Sequence, residues 1–207
     1  MAMHIYAFGS VCRGELDHGS DVDLLACVDD VAPRMDVRKY SVYRYGRLRE
    51  LWNEGNPFAW HLHLESRLIF SSDSTDYLCG LGVPARYTAV EKDCAKFKTL
   101  FDRSFHELKE SRNSATFNLS CMFLSVRNFA TCHSLALGIP TFSRQSPLIV
   151  KPALPIDAHA FSVMMRARLL STRGYGGNLS QKEIATAIEA AAVVPKWMAM
   201  LRSQQSS

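Results

Sequence analysis

The chain has 207 residues, 47% apolar and 21% charged, a composition that supports a folded core and excludes a disordered or collagen-like chain. Its net charge of +4 is unevenly divided: residues 1–85 carry 8 Lys and Arg against 12 Asp and Glu, the remainder 16 against 8. No continuous apolar run reaches the ~20 residues of a bilayer span, the N-terminus lacks the basic-then-apolar order of a secretory signal, and the six cysteines form no CxxC pair; a reducing cytoplasm is the expectation.

In chain order, HIYAFGS reads as a short buried strand ending in a Gly-Ser turn, and DVDLLACV as a second strand. VRKYSVYRY alternates and is rich in β-branched and aromatic residues, which predicts a third strand. The short, Pro33-containing segment between the last two predicts a hairpin. GRLRELWNEG predicts a helix closed by Gly55. NPFAWHLHLESRLIF predicts another, with Asn56 as N-cap and Pro57 at its first position, running into an edge strand near Arg67–Phe70.

From Val90 the apolar period becomes helical. Cys94, Phe97, Leu100, Phe101, Phe105 and Leu108 share one face of the first long helix. A more apolar helix follows, ending at Gly138, then a Pro-rich loop and a helix over AHAFSVMMRARLLSTRG. The last helix opens with a capping box of Ser180 and Glu183 and runs to Pro195. The expected fold is α+β: a small mixed sheet with flanking helices over 1–85, then an all-helical bundle over 86–207, the boundary falling near Gly82–Tyr87.

The chemistry concentrates in FGSVCRGELDHGSDVDLL, residues 8–25. Asp21 and Asp23, one residue apart on a strand, direct both carboxylates to one face and can hold a divalent ion through oxygen, Mg²⁺ above all. The Gly9–Ser10 turn can offer N–H groups and a hydroxyl to phosphate oxygens, and Gly14 and Gly19 allow close backbone approach. Such parts suit nucleotidyl transfer. The segment resembles the nucleotidyltransferase superfamily of DNA polymerase β, closest to the minimal and antibiotic nucleotidyltransferases. The pattern is carried by Gly9, Ser10, Arg13, Gly14, Ser20, Asp21, Asp23 and Leu24, and the close likeness covers about residues 4–70.

The resemblance implies an NTP donor, ATP preferred, whose nucleoside monophosphate (AMP) passes to a hydroxyl on a small molecule or protein. It implies Mg²⁺, or Mn²⁺, on Asp21 and Asp23, with Gly9, Ser10, Arg13, Gly14 and Ser20 around the nucleotide. The superfamily also places a third carboxylate on the strand beside Asp-x-Asp. A hairpin pairing Val28 with Val37 sets Val42 opposite Asp23 and Arg44 opposite Asp21, and no acid occurs from Val37 to Arg49. Asp36, Glu50 and Glu65 are the candidates, and a catalytically silent nucleotide-binding or antitoxin-like module is the alternative.

Other groups read as ordinary. His61 and His63 lie on different helix faces, although His61 and Glu65 are (i, i+4) neighbours, and structural histidines are expected. Arg127 and His133 match the Arg-polar-x4-His pattern of HEPN ribonuclease domains, with a polar inter-domain or phosphate role for Arg127 preferred. Arg144 and Arg173 stand in loops where either could reach an anion. No basic-aromatic interleaving marks a nucleic-acid surface, and the oligomeric state stays open.

Overall fold

The computed structural model describes residues 2–15, 22–29 and 35–204, and the chain divides into two units, Met1–Thr88 and Ala89–Ser207. The first holds β1 (Met3–Phe8), a 3-10 turn (Gly9–Arg13), β2 (Asp23–Val28), β3 (Tyr40–Arg44), α1 (Tyr45–Asn53), α2 (Pro57–Glu65), β4 (Ser66–Ser71) and α3 (Tyr77–Gly80). The sheet order is β3-β2-β1-β4. β1 is antiparallel to β2 and β4 on either side, and β3 runs parallel to β2.

Alternation along β1 buries His4, Tyr6 and Phe8 on one face. Tyr6 and Phe8 join Leu25 and Cys27 of β2, Leu48, Leu51 and Trp52 of α1, Ala59 and Leu62 of α2, and Leu78 of α3 in one core. Each large side chain so enclosed contributes roughly 1.5–3 kcal/mol. Two polar pins cross it. The Tyr6 hydroxyl donates to Asp76 (2.8 Å) and accepts from the Leu78 N–H (3.0 Å). His4 places Nδ1 2.6 Å from the Tyr45 hydroxyl and Nε2 3.0 Å from that of Thr75. Both pins tie β1 to the layer that covers it.

The parallel β2–β3 pair corrects the expected hairpin. Leu24 pairs with Tyr40, Leu25 with Ser41 and Ala26 with Val42. Val42 therefore sits beside Ala26, not Asp23, and points to the face away from that carboxylate. The segment 29–39 is close to the dozen residues a parallel crossover needs and longer than a tight hairpin requires. Strand composition alone carries no direction. The other local signals match: Asn56 Oδ1 accepts from the Phe58 N–H (2.9 Å), Pro57 opens α2, and β4 is an edge strand.

Gly55, after α1, has φ +61, and a Cβ there would stand 2.4 Å from the Ala85 carbonyl oxygen and 2.5 Å from that of Arg86. The sharp exit from α1 and the close passage of 85–86 both need glycine. Gly55→Ala is expected to cost about 2 kcal/mol or more, from left-handed strain plus overlap, read as a lower urea midpoint.

The second unit contains α4 (Val90–Glu110), α5 (Ala115–Ala136), α6 (Ser146–Ile149), α7 (Ala158–Arg173), α8 (Gln181–Ala190) and α9 (Val194–Ser203). α5 is its central element: Leu119, Met122, Phe123, Val126, Phe129 and Ala130 are buried, and it packs against both α4 and α7. The final helical stretch is broken by a 3-10 turn at Ala191–Val193, so α9 is a separate element with Pro195 in its first turn. As one run, Gln181–Ser203 has the length of a membrane span, and an 18-residue window within it has a mean hydropathy of 1.4 although its apolar residues are not continuous. In the fold Ile184, Ala187, Val194, Trp197, Met198 and Leu201 are buried within this unit, so its apolar side serves the core.

The capping box is present: the Glu183 N–H donates to Ser180 Oγ (3.2 Å), and the Ser180 N–H to Glu183 Oε2 (2.8 Å). Arg166 adds 2.6 Å to Glu183 Oε1. The Ser180 N–H, then Arg166 and the Ser180 hydroxyl, hold the Glu183 carboxyl down at about 2. A carboxyl depressed in the folded state contributes stability that is present above its unfolded pKa of ~4.3 and is lost as pH falls toward 2. Glu183→Gln should remove that share of the acid-side loss, seen as a smaller difference in melting temperature between pH 5 and pH 2.5 than in the unaltered chain.

Candidate functional site

The site grows from the end of β1. Phe8 pairs with Asp23 on one side and with Ser66 on the other, so the start of β2 and the α2–β4 junction flank the Gly9 turn. Gly9 has φ +77, and a Cβ there would stand 3.2 Å from Asp23 Oδ2 and 3.8–3.9 Å from the His61 ring. Glycine thus lets the turn backbone approach the exposed Asp23 carboxylate. The turn closes on Gly14 (φ +72), whose N–H donates to the Val11 carbonyl (3.2 Å), while the Glu15 N–H donates to that of Ser10 (3.0 Å). Ser10 is nearly buried within it.

Glu65, the last residue of α2, forms an ion pair with Arg13 at the end of the turn, and the same Oε2 lies 3.0 Å from His61 Nε2. Arg13 also donates to Glu15 (2.9 Å). All three members of the Arg13–Glu65–His61 chain are largely shielded from water, with side chains 14–18% exposed. Burial works against the Arg13 charge, but Glu15 and Glu65 outweigh it and raise the guanidinium's pKa. The (i, i+4) spacing of His61 and Glu65 was readable in the sequence; their place beside Gly9 was not, and His61 was passed over as ordinary.

The remaining expected residues separate. Ser20 and Asp21, with Gly19, lie outside the described residues. Asp36 is committed to Arg38, through its N–H and Nε at 3.0 Å each, which lowers its carboxyl pKa. Glu50 pairs with Arg47 on α1 (2.8 Å). A cavity of about 400 Å³ lined by Val28, Asp29, Arg44 and Tyr45 lies at the opposite end of the sheet, since Val28 pairs with Met3 and Arg44. Five strand steps of ~3.3 Å, Asp23 to Val28, set it about 17 Å from Asp23.

In the second unit, the Arg127 guanidinium donates to the Phe142 carbonyl (2.8 Å), and Arg127's own carbonyl accepts from the Ser146 hydroxyl (3.1 Å). His133 is fully enclosed, and burial lowers its pKa. An enclosed imidazole cannot meet an RNA phosphodiester, so the ribonuclease pattern is structural. Arg144 and Arg173 also belong to this unit.

Asp23 suits an oxygen-coordinated divalent ion: it is exposed, anionic, and has the bare Gly9 backbone against one oxygen. Among the described residues no three His, Cys, Asp or Glu side chains gather in a way that could hold a metal.

Residues 3–80, nearly the whole first unit, match the family model of the nucleotidyltransferase domain. The N-terminal unit thus matches a nucleotidyltransferase domain, in keeping with the likeness to the minimal nucleotidyltransferases, and general nucleotidyl transfer from an NTP is the chemistry such domains define. No curated protein matches the chain.

Gly9→Ala would press a methyl group against Asp23 and force a left-handed alanine. We expect affinity for a nucleoside triphosphate, measured calorimetrically, to fall at least about tenfold, as a loss of 1.4 kcal/mol or more requires.

Proposed function

We propose that the first unit transfers AMP from ATP to a hydroxyl on a small molecule or protein, with Mg²⁺ held by Asp21 and Asp23. The supporting observation is the register that seats the Gly9 turn against Asp23 at one end of the sheet. The N–H groups that open a 3-10 turn have no partner within it and can meet β- and γ-phosphate oxygens, with the Ser10 hydroxyl beside them. Asp23 faces the reacting phosphate, and Asp21, two residues earlier in the chain, is assigned to the same ion. A bound Mg²⁺ would supply the positive charge that offsets the triphosphate and its departing pyrophosphate. The acceptor oxygen bonds to the α-phosphorus, the bond to the β-phosphate bridging oxygen breaks, and the acceptor's proton passes to solvent. Acceptor recognition is assigned to the second unit, whose 15 Lys and Arg outnumber its 8 acids. The six cysteines, all free thiols, suit a reducing compartment.

One observation favours a second reading, a nucleotide-binding module without turnover. β3 carries no carboxylate, and Glu65 is engaged by Arg13 and His61. Pyrophosphate release from each NTP, with Mg²⁺ or Mn²⁺ titrated, separates the two. Transfer is expected with ATP, at millimolar Mg²⁺ or lower Mn²⁺ because only two carboxylates hold the ion. Asp21→Asn and Asp23→Asn should each reduce release to background with little change in melting temperature. Release at wild-type rates from either variant would sink the metal assignment, and ATP binding without release from the unaltered chain would establish the silent module.

A further inference from the structure

Glu65 stands at the same end of the sheet as the Gly9 turn, since Ser66 pairs with Phe8, yet its surroundings are wrong for a ligand. Its Oε2 accepts from Arg13 and lies 3.0 Å from His61 Nε2. With Oε2 directed at a permanent guanidinium cation and an imidazole, both shielded from water where such ties are strongest, a metal would be left Oε1 alone, beside an uncompensated cation. The three residues come from the two elements that bracket Gly9. Arg13 ends the turn that Gly9 begins, and His61 sits on α2 with its ring 3.8–3.9 Å from the point a Gly9 Cβ would occupy. The His61 ring also packs edge-on against Phe8, the residue before the turn, at 5.7 Å between centroids.

We infer that Glu65 is a positioning residue and not a metal ligand: its carboxylate ties Arg13 to His61 and so clamps the Gly9–Arg13 turn against α2 in the shape that receives the phosphates. Arg13 contributes to nucleotide binding through this tie, its guanidinium being committed to Glu65 and Glu15. This rests on the triphosphate reading of the Gly-Ser turn. A preorganised turn lowers the cost of binding, so its loss should appear in KM and not in kcat.

Glu65→Gln and Glu65→Leu test this with three readouts. Glutamine keeps an oxygen for Arg13 and can present its amide to the imidazole, whereas leucine keeps neither. For Glu65→Gln we expect kcat within about threefold of the parent and KM for ATP raised less than fivefold. For Glu65→Leu we expect KM, or the calorimetric Kd for a non-hydrolysable ATP analogue, raised about tenfold with kcat again nearly intact. Mn²⁺ affinity of the nucleotide-free protein, followed by electron paramagnetic resonance, should stay within twofold in both. Arg13→Met should mimic Glu65→Leu, and the double variant should be no worse than either alone, as a shared tie requires. Melting temperatures report any general loss of structure, which would not confine the effect to KM. A fall in Glu65→Gln turnover to the level of Asp23→Asn, or a tenfold loss of Mn²⁺ affinity, would make Glu65 a ligand and overturn the inference. Unchanged ATP affinity in Glu65→Leu would overturn it equally. If the unaltered chain binds no ATP analogue, the triphosphate reading falls and the clamp's purpose with it; if the analogue binds without turnover, the Kd and Mn²⁺ readouts still decide Glu65's role.

Discussion

The first unit depends on β1 being paired along both edges. Because Phe8 lies between Asp23 and Ser66, one strand end gathers the Gly-Ser turn, the Asp-x-Asp strand and the last turn of α2. A slip of one residue on the β2 side would turn Asp23 to the opposite face and send the buried set Leu25 and Cys27 outward. The burial of those two side chains therefore holds the carboxylate's direction as well as the core. On the other side, β4 follows α2 without a break at Ser66, so Glu65 can stand nowhere far from Phe8.

Electrostatics at this end follow from who is already paired. Arg13 is held by two carboxylates, and Glu65 by Arg13 with His61 Nε2 3.0 Å from the same oxygen, whereas Asp23 is an exposed anion next to the turn. A site with few carboxylates offers weak standing attraction for a divalent ion and gains most of it once triphosphate oxygens arrive. An enzyme with a demanding metal requirement and a nucleotide-binding module would share this behaviour.

Interior polar groups of the second unit have a structural account. The Thr131 hydroxyl donates to the Thr141 carbonyl (3.0 Å), the Thr141 N–H to Ser134 Oγ (3.1 Å), and Arg127 to the Phe142 carbonyl (2.8 Å). These bonds hold the loop after α5 against the helix it leaves and satisfy backbone groups that the Pro-rich stretch cannot pair for itself. The Arg-polar-x4-His spacing arises because Arg127 serves that loop while His133 faces the interior two turns later. A six-residue interval shared with a ribonuclease pattern carries no accessibility, and accessibility is what the chemistry would need.

By itself the sequence determined the local grammar of this protein. Gly9, Ser10, Arg13, Gly14 and the Asp-x-Asp pair stand out because their spacing is a property of one short stretch of sequence. The Asn56 cap, Pro57, the Ser180–Glu183 box and the apolar face of α4 were legible for the same reason: each works within about one to six helical turns. What tertiary structure alone decided were relations between segments far apart in the chain. The direction of β3 is set by a crossover that strand composition does not encode, so Val42 moved from beside Asp23 to beside Ala26. Glu65 was visible as an acid and as His61's helical neighbour, but its bond to Arg13 spans 52 residues and exists because β4 docks on β1 with Ser66 beside Phe8. Propensity and periodicity act over a few residues, whereas the register of a sheet is chosen by the core it buries, and that choice set which carboxylate stays exposed at the turn and which is engaged by its neighbours.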